Sequence, residues 1–266
     1  MDSVQVDAYL RRLGAERPAR PTVEALRELH VRHLRAVPFE NLSIHLGEEI
    51  VLEEKRLVDK VVGAHRGGFC YELNGAFGAL LGALGFEVAL LAARVHGEGE
   101  RRWGVPYDHM ALRVVAEDGS EWLADVGFGE HSHYPLAFGE RGEQVEPGGV
   151  FRLVEAEEAD DLDVVRNGRV EYRLELRPRV LGDFVTGAWW HRTSPESGFT
   201  RSLVCSRNTE DGGRVTLSGR RLKETTADGT VVRRELAGDE EVLAVYRERF
   251  GIELGRVPEV RKPIER

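Results

Sequence analysis

Two residues of the chain could carry thiol chemistry, Cys70 and Cys205. Cys70 stands in Arg66-Gly67-Gly68-Phe69-Cys70-Tyr71-Glu72-Leu73-Asn74, where two glycines release the backbone and an amphipathic helix then opens at the cysteine. A helix N-terminus offers unpaired N–H groups and a positive dipole end, and both stabilise a thiolate. Burial as an inert apolar residue is the commoner fate of a cysteine, and position alone leaves the two readings open. A nucleophilic thiol needs a base, and the base needs an orienting group. His109 opens the run His109-Met110-Ala111-Leu112-Arg113-Val114-Val115, and Asp125 closes Glu121-Trp122-Leu123-Ala124-Asp125.

Register decides whether His109 and Asp125 can meet. A three-residue loop, Glu117-Asp118-Gly119 with Gly119 left-handed, pairs Ala116 with Ser120. Asp125 then lies opposite Ala111, diagonal to His109 and on the same face, at the roughly 7–8 Å typical of diagonal neighbours. A two-residue Asp-Gly turn would put the two side chains on opposite faces. A lone histidine at a strand end is more often structural, and Asp125 before Val126-Gly127-Phe128-Gly129 also reads as a turn residue. Together, in the order Cys–His–Asp on helix, strand and strand, they form the arrangement of a thiol protease.

The elements that must position these residues fall into three segments. Residues 1–85 read as mostly helical. Thr22 precedes Val23, Leu26, His30, His33 and Val37 at helical spacing until Pro38 stops the run. Further helices are predicted over 53–64, with Leu57, Val58, Val61 and Val62 on one face, and from Cys70 to Gly85. Over 86–190 the period becomes two, with strands expected at 87–95, 109–116, 121–126, 150–155, 162–166 and 170–176, the pattern of a barrel or sandwich. Residues 191–266 mix strands at 203–206, 214–218 and 230–234 with a helix near Asp239–Phe250. Leu236, Val242, Leu243, Val245, Tyr246 and Phe250 give that segment apolar residues enough to pack a helix across the cleft as a lid that excludes water, the alternative being a C-terminal cap that only adds stability.

Composition narrows the function. The 266 residues are 41% hydrophobic and 31% charged, an ordinary globular balance. The net charge of −9 and the absence of a basic block disfavour nucleic acid and anionic membranes. No stretch has the length of a membrane span and the N-terminus lacks a signal-peptide core, so a cytoplasmic location is expected. Two cysteines cannot frame a disulfide scaffold. His131 and His133 lack a nearby third ligand, and no metal is expected. Gly127-Phe128-Gly129 lacks the third glycine of a dinucleotide fingerprint, since Ser132 stands there.

The sequence resembles the arylamine N-acetyltransferases over nearly its whole length. Pro38-Phe39-Glu40-Asn41-Leu42 looks like the family's early motif, and Arg66 to Asn74 is similar to its cysteine signature. His109 and Asp125-Val126-Gly127-Phe128-Gly129 fall at its catalytic histidine and aspartate, and Thr193-Ser194-Pro195-Glu196-Ser197 resembles a later block near the cofactor cleft. Ala188-Trp189-Trp190-His191-Arg192 departs from the family pattern, which usually has asparagine and less bulk there.

The resemblance implies an α+β fold: an N-terminal helical bundle over 1–85, a central antiparallel β-barrel over 86–190 and a C-terminal α/β lid over 191–266. It implies ping-pong acetyl transfer from acetyl-CoA, a co-substrate with no tightly bound cofactor, to an arylamine, arylhydrazine or aryl hydroxylamine. Cys70, His109 and Asp125 would be catalytic. Gly127, Phe128, Gly129, Thr193 and Ser194 would meet the cofactor, and Phe39, Tyr71 and Phe128 would line the acceptor pocket. Each of those three rings could equally be core. Glu40 and Arg66 could pair beneath the cysteine loop or lie solvated. The chain would act as a monomer or homodimer. Two alternatives keep the triad: an amide synthase releasing a polyketide chain onto an aryl amine, and a thiol hydrolase.

Overall fold

The computed structural model describes residues 1–97, 103–157 and 160–260. The first third holds helices α1 (Ser3–Leu13) and α2 (Val23–Ala36), the two-residue strand β1 (Phe39–Glu40), and helices α3 (Leu42–Leu46), α4 (Glu54–Val58) and α5 (Cys70–Ala83). A π-helical turn, Asp59–Gly63, continues α4. Asp2 and Thr22 cap the first two helices, accepting from Gln5 N at 2.8 Å and Ala25 N at 3.2 Å. Pro38 ends α2 as expected.

Helix α5 departs from expectation. It is buried on nearly every side, not amphipathic. Leu73, Phe77, Leu80 and Leu81 join Tyr9, Leu26 and Leu29 of the first two helices in one core. The barrel strands cover its other side, where Asn74 is buried and hydrogen-bonded, while Glu72 is buried against Lys60 of the π-helical turn.

Strands β2 (Glu87–Val95), β3 (His109–Val115), β4 (Glu121–Ala124), β5 (Leu136–Ala137), β6 (Gln144–Glu146), β7 (Gly149–Glu155), β8 (Leu162–Arg166) and β9 (Arg169–Arg179) form one antiparallel sheet, ordered β5-β4-β3-β2-β9-β8-β7-β6. It curls into a nearly closed barrel filled by Leu91, Ala111, Leu123, Phe151, Val164, Tyr172 and their neighbours. The edge strands β5 and β6 meet through a side chain. The Gln144 amide accepts from Ala137 N at 2.7 Å and donates to Ala137 O at 3.1 Å, standing in for a ladder rung.

A 3₁₀ turn, Leu181–Phe184, leads to α6 (Val185–Thr193) and α7 (Gly198–Arg201), then β10 (Cys205–Asn208), β11 (Arg214–Ser218), β12 (Arg221–Thr225), β13 (Val231–Glu235) and α8 (Asp239–Phe250). Helix α6 crosses the expected boundary at residue 190, and its Val185, Trp189 and Trp190 are residue types that favour strands. Packing of Ala188 against Phe69 and Tyr71 overrides that propensity. The second sheet runs β1-β10-β11-β12-β13, so Phe39 and Glu40 of the first third form its edge against Ser206 and Cys205.

Helix α8 differs from its expected placement over the cleft. Val242, Val245, Tyr246 and Phe250 pack on their own sheet with Leu42, Cys205 and Leu217, in a cluster separate from that of Cys70. The buried cluster that holds Cys70 includes Leu181, Phe184, Ala188 and Phe199 from the chain after the barrel. Among the described residues no helix is long and apolar enough to cross a membrane.

The β3–β4 register matches the three-residue loop. Ala116 N donates to Ser120 O at 3.0 Å, and Leu112 pairs with Ala124. Gly119 has φ +82°, the left-handed region. Gly119→Ala should lower stability in chemical denaturation by about 1–2 kcal/mol, the cost of a left-handed L-residue, with Gly119→Asn costing less. Equal midpoints for the glycine and alanine proteins would mean the turn is not left-handed.

Candidate active site

Cys70 begins α5, with Phe69 as the extended N-cap residue. The loop before it is held by backbone and by buried charge. Glu40 N donates to Gly68 O at 2.8 Å, laying β1 beside the loop. The Glu40–Arg66 pair is present and buried. Arg66 Nε donates to Glu40 Oε1 at 2.9 Å, and Arg66 also reaches Glu48 at 2.9 Å. The second oxygen of Glu40 accepts from Leu42 N at 2.6 Å. Burial alone would raise the Glu40 carboxyl, but Lys60 and Arg66 outweigh it and hold it below its ordinary value. Lys60 Nζ donates to Glu72 at 2.6 Å, and the other Glu72 oxygen accepts from Phe69 N at 3.3 Å. Two ion pairs thus brace both sides of the cysteine.

His109 and Asp125 meet as the register requires. Asp125 Oδ2 accepts from His109 Nε2 at 2.7 Å, and the two residues are 2% and 3% exposed respectively. This leaves His109 Nδ1 for Cys70, whose thiol is a hydrogen-bond partner of the ring. Gly127 closes the far side. A Cβ there would lie 2.7 Å from the Cys70 Cα and 2.8 Å from the Asn74 amide, so the loop can approach only as glycine.

The electrostatics follow from burial and partners. Burial would depress the His109 pKa, but the Asp125 charge and hydrogen bond outweigh it and push the ring up to about 10. The Asp125 carboxyl is held far below its ordinary value by His109 against the opposing effect of burial. Burial raises the Cys70 thiol, and His109 only partly pulls it back. The helix start is therefore not what makes this thiol acidic. Any thiolate here depends on a cationic His109.

Three further residues fix the constellation. Asn74 Nδ2 donates to Asp125 Oδ1 at 2.9 Å and to Met110 O at 2.6 Å, while its Oδ1 accepts from Val126 N at 2.9 Å. His30 bonds the His133 carbonyl through Nδ1 at 3.0 Å, so Nε2 is free to accept Asp125 N at 3.2 Å. Burial lowers His30 to about 4, keeping it neutral. Tyr172 packs its ring 5.1 Å from that of His109. Asn74 was detectable as the position one helical turn after Cys70. His30 looked like an ordinary core position, and Tyr172 carried no signal.

The remaining expected residues fall in different places. Phe128 stands edge-on to His109, ring centroids 5.2 Å apart, and borders a cavity of about 380 Å³ with Val95, His96, Arg169, Val170 and Glu171. Phe39 packs on Phe199 and lies beside Gly129. Tyr71 is fully buried, its hydroxyl donating to Tyr107 O at 2.6 Å and Asp108 O at 3.1 Å. Thr193 is exposed with its hydroxyl on Trp189 O, and Ser194 Oγ accepts from Glu196 N. His131 is buried, its pKa lowered to about 3 by that burial, and packs on Phe128 and Phe151. Among the described residues no three histidine, cysteine or acidic side chains are grouped to hold a metal ion.

Such a niche, with a thiol, a base and an orienting carboxylate shielded from water, suits acyl transfer through sulfur. Residues 22–259 match the profile of a family described as N-acetyltransferase. The chain is 38% identical over 214 residues to the arylamine N-acetyltransferase / N-hydroxyarylamine O-acetyltransferase of Salmonella typhimurium, covering 79% of this chain and 75% of that one. It belongs to the arylamine N-acetyltransferase family. The Escherichia coli arylamine N-acetyltransferase is 33% identical over 249 residues, 92% of this chain and 87% of its own. Among solved structures, the Salmonella typhimurium enzyme superposes with TM-score 0.88 at 33% identity, over 99% of this chain and 96% of that one. The Mycobacterium marinum enzyme in complex with CoA gives 0.83 at 30% identity, over 93% and 92%.

The His109–Asp125 pair in this family member should be visible in stability. His109 stands at about 10 when folded against 6.5 ordinarily, so its contribution is complete below pH 6.5 and lost as pH rises through about 10. Asp125 is held below 3.8, so its contribution is complete above pH 3.8 and lost as pH falls through the folded value. The melting temperature of wild type should exceed that of Asp125→Asn most between pH 3.8 and 6.5, with the gap closing toward pH 10. A gap that stays constant to pH 10 would show that His109 does not carry the charge.

Proposed function

We propose that this enzyme acetylates arylamines, arylhydrazines or aryl hydroxylamines from acetyl-CoA by a ping-pong reaction through Cys70. The observation that carries the reading is His109 held between Asp125 and the Cys70 thiol. His109 holds the S–H proton as an imidazolium beside the Cys70 thiolate, and that thiolate attacks the acetyl thioester carbonyl. The carbon–sulfur bond to CoA breaks, and the proton goes to the departing thiolate. The amine then attacks the acetyl-cysteine, His109 takes its N–H proton, and sulfur leaves and recovers that proton. Asp125 holds the ring so that Nδ1 faces sulfur and stabilises its cationic form.

The acceptor would enter beside Phe128, which borders the cavity on one side and meets the His109 ring on the other, with Phe39 near Gly129. Tyr71, buried with its hydroxyl engaged, would support that wall from behind. The donor would pass Gly127, Phe128 and Gly129, with Thr193 and Ser194 at the rim. Its phosphates have a cationic surface to meet. Opposite the α8 side of the second sheet, the face shared by Phe39 and Ser206 carries Arg214, Arg221, Lys223 and Arg233 and only one carboxylate, Glu235. In a chain of net charge −9 that face would draw an anionic donor toward the cleft.

Mixing with acetyl-CoA should give a burst of one CoA per protein and an acetyl adduct on the Cys70 peptide. Cys70→Ser should abolish both, and Asp125→Asn should cut turnover by about 10³–10⁴-fold. CoA release that ignores added amine would replace this reading with a thiol hydrolase. A burst seen only with longer acyl donors would favour the amide synthase. Lys223→Ala should raise KM for acetyl-CoA by about 10-fold, the worth of one phosphate contact. It should leave kcat, and KM for the phosphate-free donor S-acetylpantetheine, unchanged. Equal rises in KM for both donors would remove the cationic face from donor binding.

A further inference from the structure

A second buried histidine–carboxylate pair lies beside the first. His191 of α6 is 6% exposed and has no part in the acyl-transfer steps. Its Nε2 lies 2.9 Å from the Asp108 carbonyl oxygen and 3.1 Å from Asp108 Oδ1, so one N–H is shared between two acceptors of one residue. Its Nδ1 faces the Ser197 hydroxyl at 3.4 Å. Ser197 is fully buried and its oxygen accepts from Phe199 N as the cap of α7. It is thus no candidate nucleophile, although Ser197, His191 and Asp108 line up as one would expect of a triad.

What His191 touches gives its role. Asp108 precedes His109, and the Asp108 carbonyl belongs to the peptide plane from which His109 projects. That oxygen is met from one side by His191 and from the other by the Tyr71 hydroxyl at 3.1 Å. The other Asp108 carboxylate oxygen accepts from Val95 N at 3.1 Å, tying the same residue to β2. The His191 ring also packs on Phe69 and Tyr71, centroids 6.3 and 6.0 Å away. Those two residues flank Cys70. One side chain therefore contacts both neighbours of the thiol and the residue preceding the base.

We propose that His191 is a positioning residue that sets the reach of His109 to Cys70 by clamping Asp108 against the Phe69–Tyr71 segment. The inference rests on Cys70 being the nucleophile, but its test does not require acetyl transfer. A displacement of about 1 Å can cost about 10²-fold in rate, so loosening the clamp should be readily measured. His191→Phe keeps an aromatic ring among Phe69, Tyr71 and Phe199 but removes the N–H. His191→Gln keeps an N–H donor.

The experiment is the rate of Cys70 alkylation by iodoacetamide against pH, alongside acetylation by acetyl-CoA, on protein shown by circular dichroism to be folded. His191→Phe should shift the alkylation midpoint upward, because a buried thiol loses its imidazole partner, and should slow acetylation about 10²-fold. His191→Gln should restore most of both. Midpoints unchanged in His191→Phe, or a glutamine variant no better than the phenylalanine one, would overturn the proposal and leave His191 a packing residue. Wild-type protein that alkylates at Cys70 with the expected profile yet accepts no acetyl group would defeat the functional reading while leaving the clamp standing. If His191→Phe does not fold, Ser197→Ala tests the same point by freeing Nδ1, and it should shift the midpoint in the same direction. An unshifted Ser197→Ala would overturn the proposal.

Discussion

A carboxylate buried to 2% exposure is the constraint on which the site depends. An unpaired charge at Asp125 would be too costly to bury, so donors must surround it. His109 supplies one from β3, Asn74 another from α5, and Gly127 N a third from the loop that follows, at 3.0 Å. His30 of α2 meets the backbone N–H of Asp125 itself. These groups come from four separate pieces of chain. They converge only when helical bundle and barrel are docked, so assembly of the donors and assembly of the fold are the same event. The two polar side chains of this set outside the triad, Asn74 and His30, are accordingly in the middle of the core and not at its surface.

The cysteine loop is positioned by a second, independent device. Arg66–Glu40 and Lys60–Glu72 cross beneath and beside it, and the edge strand β1 ties it to the C-terminal sheet. Removing one partner of such a buried pair typically costs about 3–5 kcal/mol, more than most single residues contribute. The penalty falls on the loop that carries sulfur. The network therefore specifies where Cys70 sits as much as it stabilises the bundle. Glu40 joins both functions because its backbone is in the sheet and its side chain is in the ion pair.

Much of this was legible in the residues. The left-handed glycine of a three-residue loop decides the face of Asp125, and turn chemistry is local, so His109 and Asp125 could be brought together on register alone. The strands of the barrel were readable for the same reason, since alternation reports one buried face. Helix α6 and strand β12 were not. Trp189, Trp190 and Val185 prefer strands in isolation, and Arg221-Leu222-Lys223-Glu224-Thr225 is too polar to show alternation. In both cases partners distant in sequence decide the state. The same limit hid His30 and His191, because a buried histidine is revealed by what faces it and not by its neighbours in the chain.

The thiol itself shows why the surrounding rings matter. Burial makes Cys70 less acidic than a free cysteine, which is unfavourable for a nucleophile taken alone. It becomes favourable once His109 is held beside sulfur, because the dry surroundings that oppose a lone thiolate strengthen its attraction to an imidazolium. In the proposed reaction such surroundings would also keep water from an acyl group on sulfur, which a transferase needs and a hydrolase does not. The shielding is supplied by Phe69, Phe184, Ala188 and Phe199, from the cysteine loop and from α6 and α7, while α8 is occupied with its own sheet. Exclusion of water in that reaction would thus be a property of packed rings fixed in the same core as the thiol, and it would not require a helix to close over the cleft.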